Sequence, residues 1–189
     1  MFMVNSFSLK KCLSLSLSLI LVISFINGCA TANLSYPLTT KLEGLGAPRV
    51  LLMQEHIIRG NDSYSMDMVV EVSNEKLTVV GSSLGFRIFT LSYDGVTVSE
   101  GAGKKLPFYI SNRLVIDDVM LVLSSNEVLK DNLPDECSMT QDGDFKNIYC
   151  RGRLTVSIKK LESYNMSTVI FLKRTDPDYQ LNIIMNEVQ

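Results

Sequence analysis

Residues 63–72 read Ser-Tyr-Ser-Met-Asp-Met-Val-Val-Glu-Val, apolar at every even position and polar at every odd one except Val69. A period of two marks a strand with one buried face and one wet face. The pattern starts at Arg49. A turn near Gly60-Asn61 sets Met53 opposite Met68 and Ile57 opposite Tyr64 on the apolar face, with His56 opposite Ser65 on the polar face. A turn at Asn74-Glu75 pairs Val72 with Leu77 and Val70 with Val79. After Gly81-Ser-Ser-Leu-Gly85, the run Phe86–Tyr93 enters Asp94-Gly95, the strongest short hairpin signal. A two-residue turn there pairs Tyr93 with Val96, Leu91 with Val98 and Phe89 with Glu100. Five strands then form a meander with one apolar side.

Between Ser111 and Leu133 the period changes. Leu114, Val115, Ile116, Val119, Met120, Val122 and Leu123 suit a helix packed on most of its circumference, with Ser111 as N-cap. Ser124-Ser-Asn-Glu127 has capping-box spacing for a second short helix before Pro134. Asp117-Asp118 reads as a solvated helix edge rather than a metal site. Alternation returns in 137–150, 153–159, 167–172 and 180–188, giving about five more strands.

Ten twisted antiparallel strands rarely stay flat and open. The expected fold is mainly β (α+β): a curved antiparallel sheet forming an incomplete β-barrel, with the helical insert as its lid. Two interiors fit this pattern. One is a solid core. The other is a cavity lined by Met53, Met68, Val70, Phe89, Leu91, Val156 and Ile158 from the strands, with Leu114 and Met120 from the insert. Methionine suits adaptable apolar pockets and also fills core gaps.

The chain begins differently. Lys10-Lys11 precede an apolar run from Cys12 to Ile26, followed by Asn27-Gly28-Cys29. These are the parts of a secretory signal, and the run falls short of the ~20 apolar residues of a spanning helix. Ile26-Asn27-Gly28-Cys29 resembles the lipobox of bacterial lipoproteins, although Asn27 stands where small residues are commoner. The resemblance implies cleavage before Cys29 and acylation of that cysteine. The alternatives are an uncleaved anchor helix, or an ordinary signal cut at Ala30-Thr31-Ala32. One acyl chain binds a membrane marginally, whereas two or three hold firmly. Ala30 stands where an aspartate commonly retains lipoproteins in the inner membrane, so the resemblance implies an outer-membrane protein facing the periplasm. Residues 1–28 are then the signal peptide, 29–48 a lipidated tether broken by Pro37, Gly44, Gly46 and Pro48, and 49–189 a single domain.

The chain from Cys29 to Gln189 has 161 residues, with 16 basic and 20 acidic side chains, a net of −4. That length suits one core. No basic patch stands out, which argues against nucleic acid as a partner. In an oxidising compartment Cys137 and Cys150 form an even pair. A turn at Gly143-Asp144, glycine first, pairs 142 with 145 and brings 137 opposite 150, within disulfide reach. A turn at Asp142-Gly143 would offset the pair and weaken that case; two free thiols are the other reading. No cysteine or histidine cluster completes a zinc site.

Catalytic signals are missing. His56 is the only histidine, on the polar face, without a base-and-nucleophile arrangement. No G-x-S-x-G elbow is present, and Gly101-Ala-Gly-Lys-Lys105 lacks phosphate-loop spacing. A non-enzymatic protein without cofactor or metal is expected.

Leu84-Gly85, Arg87-Ile88-Phe89-Thr90-Leu91, Tyr93-Asp94-Gly95, the helical insert and Tyr179 before the last strand carry a resemblance that covers Val50 to Val188. The chain resembles an uncharacterised family of bacterial outer-membrane lipoproteins, often encoded beside aryl polyene pigment biosynthesis. That family is distantly similar to the lipoprotein-localisation carriers LolA and LolB, incomplete barrels that hold acyl chains beneath a helical lid. LolB touches the membrane with a leucine between its third and fourth strands. Leu84 lies between the third and fourth strands here, though Ser83 stands where a proline often precedes Leu-Gly. The resemblance implies membrane contact by Leu84; an apolar cap buried at a hairpin end is the other reading. The expected function is a carrier or acceptor of lipid or acylated cargo, aryl polyene lipid included, held in a hydrophobic cavity and exchanged with a periplasmic carrier. The alternative is a docking or structural protein of the outer membrane with a solid core.

Overall fold

Among the described residues the first and last strands lie side by side at the centre of one sheet, and each begins or ends a five-strand meander. The computed structural model describes residues 42–46, 48–101, 110–162 and 167–188. The signal segment, Cys29 and most of the expected tether lie outside the described residues. In order the strands are β1 (Arg49–Arg59), β2 (Asp62–Val72), β3 (Leu77–Ser83), β4 (Phe86–Tyr93) and β5 (Val98–Glu100). The helices α1 (Asn112–Leu123) and α2 (Asn126–Asn132) follow. The second set is β6 (Cys137–Asp142), β7 (Phe145–Cys150), β8 (Arg153–Glu162), β9 (Thr168–Thr175) and β10 (Asp178–Val188). The ten antiparallel strands run β5-β4-β3-β2-β1-β10-β9-β8-β7-β6 and do not close into a barrel. The two free edges, β5 and β6, flank the helical insert; α1 packs beside β4 and β5, and α2 beside β6.

Hydrophobic alternation sets the register, because a slip of one residue would turn the whole apolar set to water. Met53 pairs with Met68, Ile57 with Tyr64, His56 with Ser65 and Val70 with Val79. The β4–β5 hairpin departs from the two-residue turn expected at Asp94-Gly95. Tyr93 pairs with Val98 and Leu91 with Glu100, a shift of two residues. The Asp94 carboxylate accepts hydrogen bonds from the backbone N–H groups of Val96 (2.9 Å) and Thr97 (2.7 Å), which widens the loop. These bonds also hold its carboxyl below the usual range. The shift is even, so the apolar face is kept.

Eight residues of α1 are buried: Leu114 and every residue from Ile116 to Val122. At about 100° per residue they cover the whole circumference, as expected of a helix enclosed on all sides. So α1 fills the interior rather than roofing it. Ser111 caps α1 by accepting from the Leu114 N–H, and Ser125, one residue later than expected, caps α2 from Val128. Before β1 the chain is folded: Leu42–Leu45 form a 3₁₀ turn, Leu45 is buried, and Gly44 lies so close to Val128 that a Cβ there would sit 2.2 Å from its side chain.

Candidate functional site

Met53, Met68, Val70, Phe89, Leu91, Leu114, Met120, Val156 and Ile158 all meet in one apolar cluster between the sheet and α1. Their side chains fill most of the space, and Ile158 also lines a cleft of about 290 Å³ with Val122, Ile170, Lys146 and Lys160. Beside them the described residues leave a void of about 20 Å³, walled by Ile57, Met66, Met68, Phe89, Val115 and Leu181 and reached by Glu55, Asp118 and Tyr179. That is room for about one water, against the ~300–1,000 Å³ of small-molecule pockets.

Polar side chains penetrate this core. Asp117 and Asp118 are buried, which overturns the solvated helix edge. Apolar neighbours at Leu114, Val115, Leu121 and Val122 turn Asp118 toward the sheet. Its Oδ1 accepts from Arg174 Nε at 2.6 Å, and its Oδ2 accepts from the Tyr179 hydroxyl. Arg174 on β9 and Tyr179 on β10 are direct cross-strand partners, so the sheet offers both donors side by side. Asp117 pairs with Arg113 one turn earlier, Nε to Oδ1 3.1 Å, and the Arg113 guanidinium lies 4.8 Å above the Tyr93 ring centre. Arg174 Nη2 and Asp117 Oδ2 are buried with no hydrogen-bond partner among the described residues.

Burial dominates the titration of this cluster. It pushes Glu55 up to about 8, helped by the Asp118 charge. It pushes Asp117 up to about 7 against the pull of Arg113 and Arg174. Asp118 is also raised by burial, with Arg174 and the Tyr179 hydroxyl opposing the rise. The Tyr179 phenol is pushed up by burial and the Asp118 charge, so it stays protonated and donates.

The β3–β4 turn is the most exposed apolar point described. Leu84 is 92% exposed and Phe86 77%. Leu84 (φ 52°) and Gly85 (φ 77°) both take the left-handed conformation, as a two-residue turn of the mirror-image type requires. A leucine there is strained, and it is not buried at the hairpin end. Beside it a groove of about 520 Å³ crosses the outer face, lined by Gln54, His56, Ser65, Asp67, Asn182 and Ile184 among others. In that groove His56 Nδ1 lies 3.0 Å from Ser65 Oγ. Among the described residues no group of histidine, cysteine or acidic side chains is placed to hold a metal.

The turn at Gly143-Asp144 pairs Asp142 with Phe145 and Cys137 with Cys150. Cys137 and Cys150 form a disulfide, Cα to Cα 4.0 Å.

Residues 52–186 match a family model described as Protein of unknown function (DUF3261). The chain belongs to the DUF3261 family. The DUF3261 match runs from β1 to β10, so it contains α1, the buried ionic cluster, the exposed turn and the disulfide. No curated protein sequence matches the chain.

Proposed function

We propose that this DUF3261 protein is an outer-membrane lipoprotein, held by lipid on Cys29 and facing the periplasm, that carries or accepts lipid or lipid-linked cargo without chemistry. The observation that carries the reading is the pairing of Leu84 and Phe86 as an exposed apolar tip, on a strained turn, with a sheet whose inner face is mostly apolar apart from the cluster that binds α1 and the lysines Lys146 and Lys160. Exposed apolar side chains grouped at a loop tip mark contact with a membrane or partner. In this reading the described conformation is the closed one. Cargo enters as α1 withdraws, and its chains replace the α1 side chains against Met53, Met68, Phe89 and Leu91. Burial of apolar area supplies the affinity. The mainly-β sheet with a central helical insert supports the distant likeness to LolA and LolB. The cargo proposed on the sequence resemblance is aryl polyene lipid or another acylated molecule, received from a periplasmic carrier. The domain proposal keeps residues 1–28 as signal, 29–48 as tether and 49–189 as the carrier domain.

A second reading, a docking protein of the outer membrane with a solid core, is favoured by the size of the void. Native mass spectrometry of the protein extracted from membranes separates them. A bound acyl-chain lipid is expected for the carrier. Bare protein together with a specific protein partner would support docking.

A further inference from the structure

Glu55, only 7% exposed, lines the void beneath α1. Apolar walls come from Ile57 on its own strand, Met66 and Met68 on β2, Phe89 on β4, Val115 on α1 and Leu181 on β10. The charged and titratable groups around it come from three elements. Asp118 of α1 and Tyr179 of β10 line the same void, and behind them stand Arg174 of β9, bonded to Asp118, and the Arg113–Asp117 pair of α1. Above about pH 7, where Asp117 is ionised, the two aspartates balance the two arginines. A charge on Glu55 in place would therefore be an uncompensated negative charge beside Asp118, in apolar surroundings.

We propose that the Asp118–Arg174–Tyr179 cluster latches α1 onto the sheet, and that lifting α1 releases the proton that Glu55 holds while the latch is closed. Opening exposes Glu55 to water, where it ionises as an ordinary glutamate. The closed form keeps its proton up to about pH 8, and the open form loses it near 4.5. Because the closed-state value is the raised one, closure is favoured most below about 4.5 and loses ground as the pH rises toward 8. Across that window one proton leaves on opening, so the opening equilibrium grows about tenfold per pH unit. Asp117, raised to about 7, adds a second proton over the lower part of the window. The inference concerns α1 and the sheet alone, so it stands or falls apart from the carrier reading.

The test is hydrogen exchange of the α1 amides, Ile116 to Leu121, in the full-length protein from pH 5 to 8, corrected for intrinsic exchange. Wild type and Glu55→Gln are compared, since glutamine matches a protonated glutamate in shape. The expected result is a wild-type protection factor that falls with pH more steeply than that of Glu55→Gln, by about tenfold per unit. Parallel profiles would overturn the proposal. Infrared spectroscopy provides a second readout. A protonated-carboxyl band at pH 7 that disappears in Glu55→Gln is expected, and an ionised Glu55 at pH 7 would overturn it.

Discussion

Replacing Arg174 with methionine removes the cation that Asp118 faces at 2.6 Å and keeps most of the side-chain volume. Both groups are almost fully buried, so water cannot screen what is left. Removing one partner from a buried pair costs about 3–5 kcal/mol, because the remaining charge is uncompensated. The Tyr179 hydroxyl still donates to Asp118, which places the expected loss near the lower end, ~3 kcal/mol. With a urea dependence of ~2 kcal/mol per molar, the midpoint falls by roughly 1.5 M at pH 7. Protonating Asp118 relieves the defect, so the loss shrinks toward pH 5. The triple replacement Asp118→Leu, Arg174→Met and Tyr179→Phe removes every member of the network and is expected within about 1–2 kcal/mol of wild type. Urea unfolding with the disulfide intact measures all three proteins. A loss under 1 kcal/mol for Arg174→Met, or a triple variant weaker than the single one, would refute the reasoning.

Leu84→Asn relieves a left-handed backbone that costs a leucine roughly 1–2 kcal/mol, while losing almost no packing. Stability is expected to rise by up to ~1 kcal/mol in urea unfolding, and vesicle-to-vesicle lipid transfer to fall at least about tenfold; unchanged transfer removes the tip from the account. Gly81→Ala places a Cβ 2.3 Å from the Phe89 ring, a cross-strand partner that is itself buried, so a loss of ~1–3 kcal/mol in melting experiments is expected. Replacing Cys137 and Cys150 together with serine opens a crosslink spanning 13 positions and is expected to cost about 3 kcal/mol, read by the same melts under oxidising conditions.

The sheet was legible because period-two alternation is a direct image of one-sided burial. Met53 and Ile57, Val70 and Val72 fixed faces and register together. The disulfide followed from counting outward from a glycine that had to lead its turn. At Asp94 the same reasoning failed. The dipeptide predicted a tight turn, but the aspartate side chain competes for backbone N–H groups and builds a wider one. The ionic cluster was hidden for a different cause. Glu55, Arg174 and Tyr179 each occupy an inward position in an otherwise apolar alternation: Met53–Glu55–Ile57, Leu172–Arg174, Tyr179–Leu181. Asp118 sits in an apolar helix between Leu114 and Val122. Each looks like a single exception, and only the β9–β10 register and the enclosure of α1 bring them to one point. A polar residue at a core phase in several elements at once is the signal that was available. Whether the sheet enclosed a hollow was beyond any periodicity, because apolar side chains lining a cavity and filling a core have the same spacing.

The central claim is that α1 leaves the sheet and lipid chains take its place. Photo-crosslinking with a diazirine on the acyl chain of a vesicle lipid, mapped by mass spectrometry on the full-length protein, tests it most directly. The account predicts adducts on Met53, Met68, Phe89 and Leu91 beneath α1 as well as on Leu84 and Phe86. Adducts confined to the exposed turn, with the inner face unlabelled, would contradict it.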